Sequence, residues 1–157
     1  MAEVLDQTIT ESRQLSHGLF PVPLATAGLI PALQELAHST SARFKIRCRF
    51  DGQAPVTARH AVLATHLYRI AQEAVANAVK HSRARTVCIR LRARARQIEL
   101  AVEDDGTGLS PAKPMESAGL GLHIMDYRAR AIGGTLRLGP GRRGGTVVSC
   151  CVPCPGS

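Results

Sequence analysis

Leu67-Tyr68-Arg69-Ile70-Ala71-Gln72-Glu73-Ala74-Val75-Ala76-Asn77-Ala78-Val79-Lys80-His81 is the run that decides the fold. Leu63, Leu67, Ile70, Ala74 and Ala78 recur at helical spacing, so Arg59 to His81 is predicted as the longest helix, with these residues as its core stripe. Glu73, Asn77 and Lys80 are spaced i, i+4, i+7 and fall within an arc of roughly 60° beside that stripe. These polar groups therefore belong at the rim of the core. The Asn77 carbonyl oxygen suits Mg2+, Glu73 can polarise an attacking group, and Lys80 can meet a phosphate. Taken alone, the same three residues also make an ordinary Glu–Lys pair on a solvated helix face.

Downstream of this helix the period falls to two. Val87, Ile89 and Leu91 alternate with Cys88, Arg90 and Arg92, and Ile98, Leu100 and Val102 alternate with Gln97, Glu99 and Ala101. The short connection at Ala93 to Arg96 predicts an antiparallel hairpin. A Gly-, Pro- and Ser-rich loop is expected from Asp105 to Ala118, then a helix over Gly121–Ile132 stopped by Gly133-Gly134. Two last strands, Thr135–Leu138 and Thr146–Val152, flank a loop. Upstream, Phe44, Ile46, Cys48 and Phe50 alternate with Lys45, Arg47 and Arg49, which predicts a strand with a basic outer face. Two helices are expected before it, Glu3–Gly18 and Leu24–Thr40. The order implies an α+β two-layer sandwich: a mostly antiparallel sheet, helices on one face, the other face open to water and rich in Arg.

The chain has 157 residues, enough for one domain with a real core plus an appended element. Its formal charge of +8 favours an anionic partner without choosing one. Aromatics at 3% argue against stacking on single-stranded nucleic acid, and direct nucleic-acid binding rests on charge alone. Five cysteines with no evident disulfide framework, and a polar start, point to a reduced, cytoplasmic setting. Cys151 and Cys154 close a strand-like run, whereas a redox CxxC would open a helix. Leu15 to Gln34 lacks charge, but Pro21, Pro23 and Pro31 break it as a membrane span. Gly139, Gly141 and Gly144 match G-x-G-x-x-G yet lead into a strand, so a hairpin loop explains them.

Two further pieces carry chemistry. Val102-Glu103-Asp104-Asp105-Gly106-Thr107-Gly108 runs a strand into Asp-x-Gly-x-Gly, where a carboxylate can accept from an exocyclic amine and glycines admit close approach. Gly119-Leu120-Gly121-Leu122 opens a helix, whose free N–H groups suit a phosphate.

In this order and spacing the three pieces resemble the N, G1 and G2 boxes of the ATP-binding catalytic (HATPase) domain of two-component sensor histidine kinases, the Bergerat ATP-binding fold. The N-box wording is similar to the nitrate-sensor-like subfamily. Leu15 to Pro21, with Leu24, Gly28-Leu29 and Ala32-Leu33, resembles that subfamily's second dimerisation helix and junction. The resemblance implies residues 1–40 as a stem remnant and 41–157 as the catalytic domain. It implies Asn77 as the Mg2+ ligand, Glu73 as general base or polariser, and Lys80 and His81 near the ATP phosphates. Asp104, not Asp105, would read adenine. Gly106, Gly108, Gly119 and Gly121 would shape the pocket and lid, and Thr146 would lie near the adenine. Departures are Ser117-Ala118 before Gly119, a short lid from Ser110 to Ala118, and Asp126-Tyr127-Arg128 where relatives have Arg-Glu-Arg.

The implied reaction moves the γ-phosphoryl of ATP to a histidine on an upstream helix, then to the receiver domain of a response regulator with helix-turn-helix output. The parent protein would be a homodimer, with any membrane anchor upstream. None of the six histidines is followed by an acid, so the acceptor is expected outside this chain. His17, on the stem-like helix, is stopped by Gly18 and Pro21. Rival readings are an anti-sigma-factor-type protein-serine kinase and a non-catalytic nucleotide-sensing module of the same fold.

Overall fold

The computed structural model describes residues 28–52, 60–108 and 119–154. The helix expected over Glu3–Gly18 lies outside these residues, as does the loop from 109 to 118. Helix α1 (Leu29–Phe44) leads into strand β1 (Arg47–Gly52). Helix α2 (Ala61–His81) is followed by β2 (Thr86–Arg94) and β3 (Gln97–Asp104), then by α3 (Leu120–Ala131), β4 (Thr135–Pro140) and β5 (Thr146–Pro153).

The first junction departs from expectation. Gly28 sits at φ 93°, so α1 begins after it rather than at Leu24. Thr40 is not the end: its hydroxyl donates to the Leu36 carbonyl at 2.7 Å within the helix. Lys45, left-handed at φ 51°, closes the last turn. Phe44 therefore ends a helix instead of starting a strand, and it stays exposed. The alternation of Phe44 with Ile46 misled because a helix terminus and a strand start share it. From Ile46 the alternation holds, with Ile46 and Cys48 buried and Arg47 and Arg49 outside.

The five strands lie in the order β1-β2-β3-β5-β4. β1 pairs with β2 in parallel, with α2 as the crossover between them, and the other three pairings are antiparallel. Val87, Ile89, Leu91, Ile98, Leu100 and Val102 present one buried face, against which α2 sets Leu67, Ile70, Ala71, Ala74 and Ala78. Leu29, Leu33 and Leu36 of α1 and Met125 and Ala129 of α3 join the same core. Each large side chain so buried contributes roughly 1.5–3 kcal/mol. The expected two-layer arrangement is thus the observed one.

The outer face is polar and partly self-paired. Arg90 bonds Glu103 across β2 and β3, and Arg92 reaches Asp51 on β1 at 2.7 Å. The five cysteines are free. Burial, and then the neighbouring cysteine, pushes the Cys48 and Cys150 thiols up to about 12, which makes them inert core residues. Among the described residues no helix is long and apolar enough to cross a membrane.

Candidate functional site

The period-two alternation of β3 carries Ile98, Leu100 and Val102 inward, so Asp104 arrives on the covered side at the strand's last position, 8% exposed. A carboxylate there needs donors. Its Oδ1 accepts from the Gly106 N–H at 2.9 Å and the Thr146 N–H at 3.4 Å. Among the described residues Oδ2 has no hydrogen-bond partner, and no side-chain oxygen is buried without one, so Oδ2 is open to a ligand.

Asp105 is turned to a different task. Its Oδ1 accepts from the Arg85 and Thr86 N–H groups at 2.8 and 2.9 Å. The Thr86 N–H, against a smaller effect of burial and together with the Arg85 N–H, holds this carboxyl below its usual range. Asp105 fixes the entry to β2.

Close backbone approach ties the expected pieces to one another. A Cβ at Gly106 would collide with the Ser82 carbonyl oxygen, which also accepts the Thr107 N–H at 2.8 Å. Ser82 ends α2, and its hydroxyl donates to the Ala78 carbonyl at 2.6 Å. Gly108, at φ 79°, leaves its missing Cβ 2.7 Å from the Gly144 carbonyl oxygen. A Cβ at Gly145 would strike the Asp104 backbone. The Asp-x-Gly-x-Gly loop therefore packs between the end of α2 and the β4–β5 turn, where glycine is required by space.

Glu73, Asn77 and Lys80 are half-buried on α2, and His81 is exposed at its end. Gly119 is the N-cap of α3, and a Cβ at Gly121 would collide with the Glu73 carboxylate. The glycine thus lets the start of α3 lie directly on Glu73. A cavity of about 620 Å³ lined by Leu122, His123, Asp126, Arg130, Gly134, Thr135 and Leu136 contains none of the expected residues and is separate from this site.

The donor set fits a purine nucleotide: a buried carboxylate with a free oxygen, glycine-lined walls, and a cation and helix N-terminus for phosphates. The described residues hold no group of three or more His, Cys, Asp or Glu suited to a metal. A cation would instead be shared between Asn77 and ligand phosphates, as hard Mg2+ prefers. Sequence reasoning missed Ser82, whose role depends on a loop distant in sequence, and the backbone-holding role of Asp105.

A family model described as histidine kinase-, DNA gyrase B-, and HSP90-like ATPase matches residues 63–156. The nitrate/nitrite sensor protein NarX of Escherichia coli (strain K12) is 36% identical over 129 residues, 82% of this chain and 21% of that protein. Sensor histidine kinase ComP of Bacillus subtilis (strain 168) is 35% identical over 139 residues, 88% of this chain and 18% of that one. The chain thus spans about a fifth of the length of these relatives. The ATP binding domain of PrrB from Mycobacterium tuberculosis superimposes with a TM-score of 0.63 at 26% identity, covering 79% of this chain and 92% of that one.

Proposed function

From the premise that the chain belongs to the histidine kinase-, DNA gyrase B- and HSP90-like ATPase family, and is an ATP-binding domain of the sensor-kinase kind, we propose that it phosphorylates a histidine. In this reading residues 41–157 form the catalytic domain and residues 1–40 a stem and junction. The acceptor lies on a helix of the parent protein, a homodimer, and the phosphoryl group passes on to a receiver-domain aspartate.

The observation that carries the nucleotide assignment is Asp104. Its Oδ1 is occupied by two backbone N–H groups, so the carboxylate is fixed and its Oδ2 can accept from the adenine exocyclic amine. Gly106 and Gly108 give the base a backbone wall, and Thr146 stands beside Asp104. Lys80, His81 and the N–H groups at Gly119 and Gly121 meet phosphate oxygens. Mg2+, held by Asn77, would neutralise charge on the phosphates.

Glu73 polarises the incoming imidazole. The imidazole nitrogen forms a bond to the γ-phosphorus as the bond to the β–γ bridging oxygen breaks, and ADP leaves. The protein contributes position and electrostatics rather than covalent chemistry.

The test is in two parts. Calorimetry with ATP should show binding that strengthens with Mg2+; heat-silent titrations with and without the cation would reject the nucleotide site. The full-length protein should then accumulate acid-labile phosphate and pass it to a receiver domain. Acid-stable phosphoserine on a serine substrate would instead favour the protein-serine kinase reading.

A further inference from the structure

The nucleotide positions use little of the +8 charge, and much of the remainder gathers at one corner. Helices α1 and α2 both end there. Each turns toward its strand through a left-handed residue that is not glycine, Lys45 at φ 51° and Arg83 at φ 53°. The Arg47 N–H donates to the Arg85 carbonyl at 2.9 Å, which fixes the two turns side by side. Arg43, Lys45, Arg47, Arg49, Arg83 and Arg85 all lie within four residues of that bond, and all are exposed. Their Cα atoms therefore fall within about 14 Å of it.

This charge is not neutralised. Among the described residues none of the six is in an ion pair. Asp105 turns its Oδ1 onto the Arg85 and Thr86 N–H groups instead of a guanidinium. Asp51 is bonded to Arg92 at 2.7 Å, with Arg49 a more distant influence, and Glu103 is bonded to Arg90. Helix C-termini favour cations, which accounts for Arg43, Lys45 and Arg83. It does not account for Arg47, Arg49 and Arg85, which belong to the strands and their approach. Nor does it explain a long side chain at two left-handed positions, where glycine would relax the backbone.

Phe44 stands among these cations, 40% exposed, between Arg43 and Lys45. For a protein partner the corner lacks an open strand edge: the Ser41 hydroxyl donates to the Cys48 carbonyl and accepts its N–H, each at 2.9 Å, so α1 seals β1 at that point. One ring among six charges is also not the apolar centre of a stable protein interface, nor the stacked platform of a single-stranded nucleic-acid site. A layer of anionic headgroups asks for less, namely summed positive charge and a ring that enters the interface. We propose that this corner docks the domain on an anionic lipid surface, with the six cations facing phospholipid headgroups and Phe44 inserted between them. The docking is independent of phosphoryl transfer. The cytoplasmic setting expected from the sequence places the anionic leaflet on the domain's side of the membrane.

The experiment is co-sedimentation of this chain with sucrose-loaded vesicles, either pure phosphatidylcholine or a three-to-one mixture with phosphatidylserine. Binding is expected to the mixed vesicles only, and it should weaken as salt is raised. Each cation removed from the corner should lower the partition coefficient about fivefold, so Lys45→Gly with Arg83→Gly should lose about 25-fold. Glycine suits both left-handed turns, so the melting temperature of that variant should stay close to the parent's. Arg47→Gln with Arg85→Gln should lose a similar factor. Arg130→Gln with Arg137→Gln removes the same charge near the opposite edge of the sheet and should change binding less than about twofold. Phe44→Ser should weaken vesicle binding and leave retention on a polyglutamate column unchanged.

No binding, equal binding to both vesicles, or an equal loss in the Arg130→Gln, Arg137→Gln variant overturns the proposal. So does release from the mixed vesicles by polyglutamate or duplex DNA at equal concentration of negative charge, which would assign the corner to an acidic protein or to nucleic acid.

Discussion

Asp104 and Asp105 carry the same functional group one position apart, and the strand pleat sends them to different duties. Asp104→Asn keeps an acceptor for the Gly106 and Thr146 N–H groups but loses the charge facing the ligand. It should leave the melting temperature near wild type and weaken ATP binding about tenfold, about 1.4 kcal/mol, by calorimetry. Asp105→Ala should do the reverse. It strips two backbone N–H groups of their acceptor, costing about 1–2 kcal/mol in denaturant unfolding, with ATP affinity close to wild type. The pH dependence follows from the direction of its shift. A carboxyl held below its ordinary value of 3.8 contributes fully above that pH and loses its contribution as pH falls through the lower folded value. Acid unfolding of Asp105→Ala should therefore show a shallower loss of stability below about pH 4 than the parent.

Among the elements, the β2–β3 hairpin shows how local chemistry and tertiary demand can disagree. Its turn places Ala95 at φ 41° and Arg96 at φ 71°, both left-handed and neither glycine. Such a turn matches the strand twist but asks for Asn-Gly. Replacing the pair, Ala95→Asn with Arg96→Gly, should raise stability by about 1 kcal/mol in denaturant titration. An unchanged midpoint would mean that the turn carries no strain. The hairpin was nonetheless legible, because eight residues of alternation on each side leave only one register that buries Val87, Ile89 and Leu91 with Ile98, Leu100 and Val102. Helix α2 was legible for the same reason, one-sided burial. The end of α1 was not: Phe44 and Ile46 satisfy either period, and the deciding event, a left-handed Lys45, has no glycine to announce it. The site divides along the same line. Glu73, Asn77 and Asp104 lie on readable periodic faces, whereas the Ser82–Thr107 link joins residues whose meeting depends on packing.

At the scale of the whole molecule, sheet order sets the architecture. Strand β1 is an edge, joined in parallel to β2, and no turn signal in the sequence specifies that pairing; the crossover through α2 does. Its charged outer residues, Arg47, Arg49 and Asp51, guard the edge against pairing with other chains. β4 forms the other edge. β5, which follows it in the chain, lies between β4 and β3. A chain ending at Gly145 would thus keep β4 but lose the strand that connects it to the sheet. Such a chain should give no cooperative unfolding transition by circular dichroism; a sharp one would show that the rest of the sheet folds alone. The same order has a consequence during synthesis. Cys150 and Val152 complete the apolar layer beneath α3, and Thr146 supplies an N–H to Asp104. Until β5 has emerged from the ribosome, the nascent chain holds an unfilled slot between two strands, so the nucleotide pocket becomes competent only once β5 has been made.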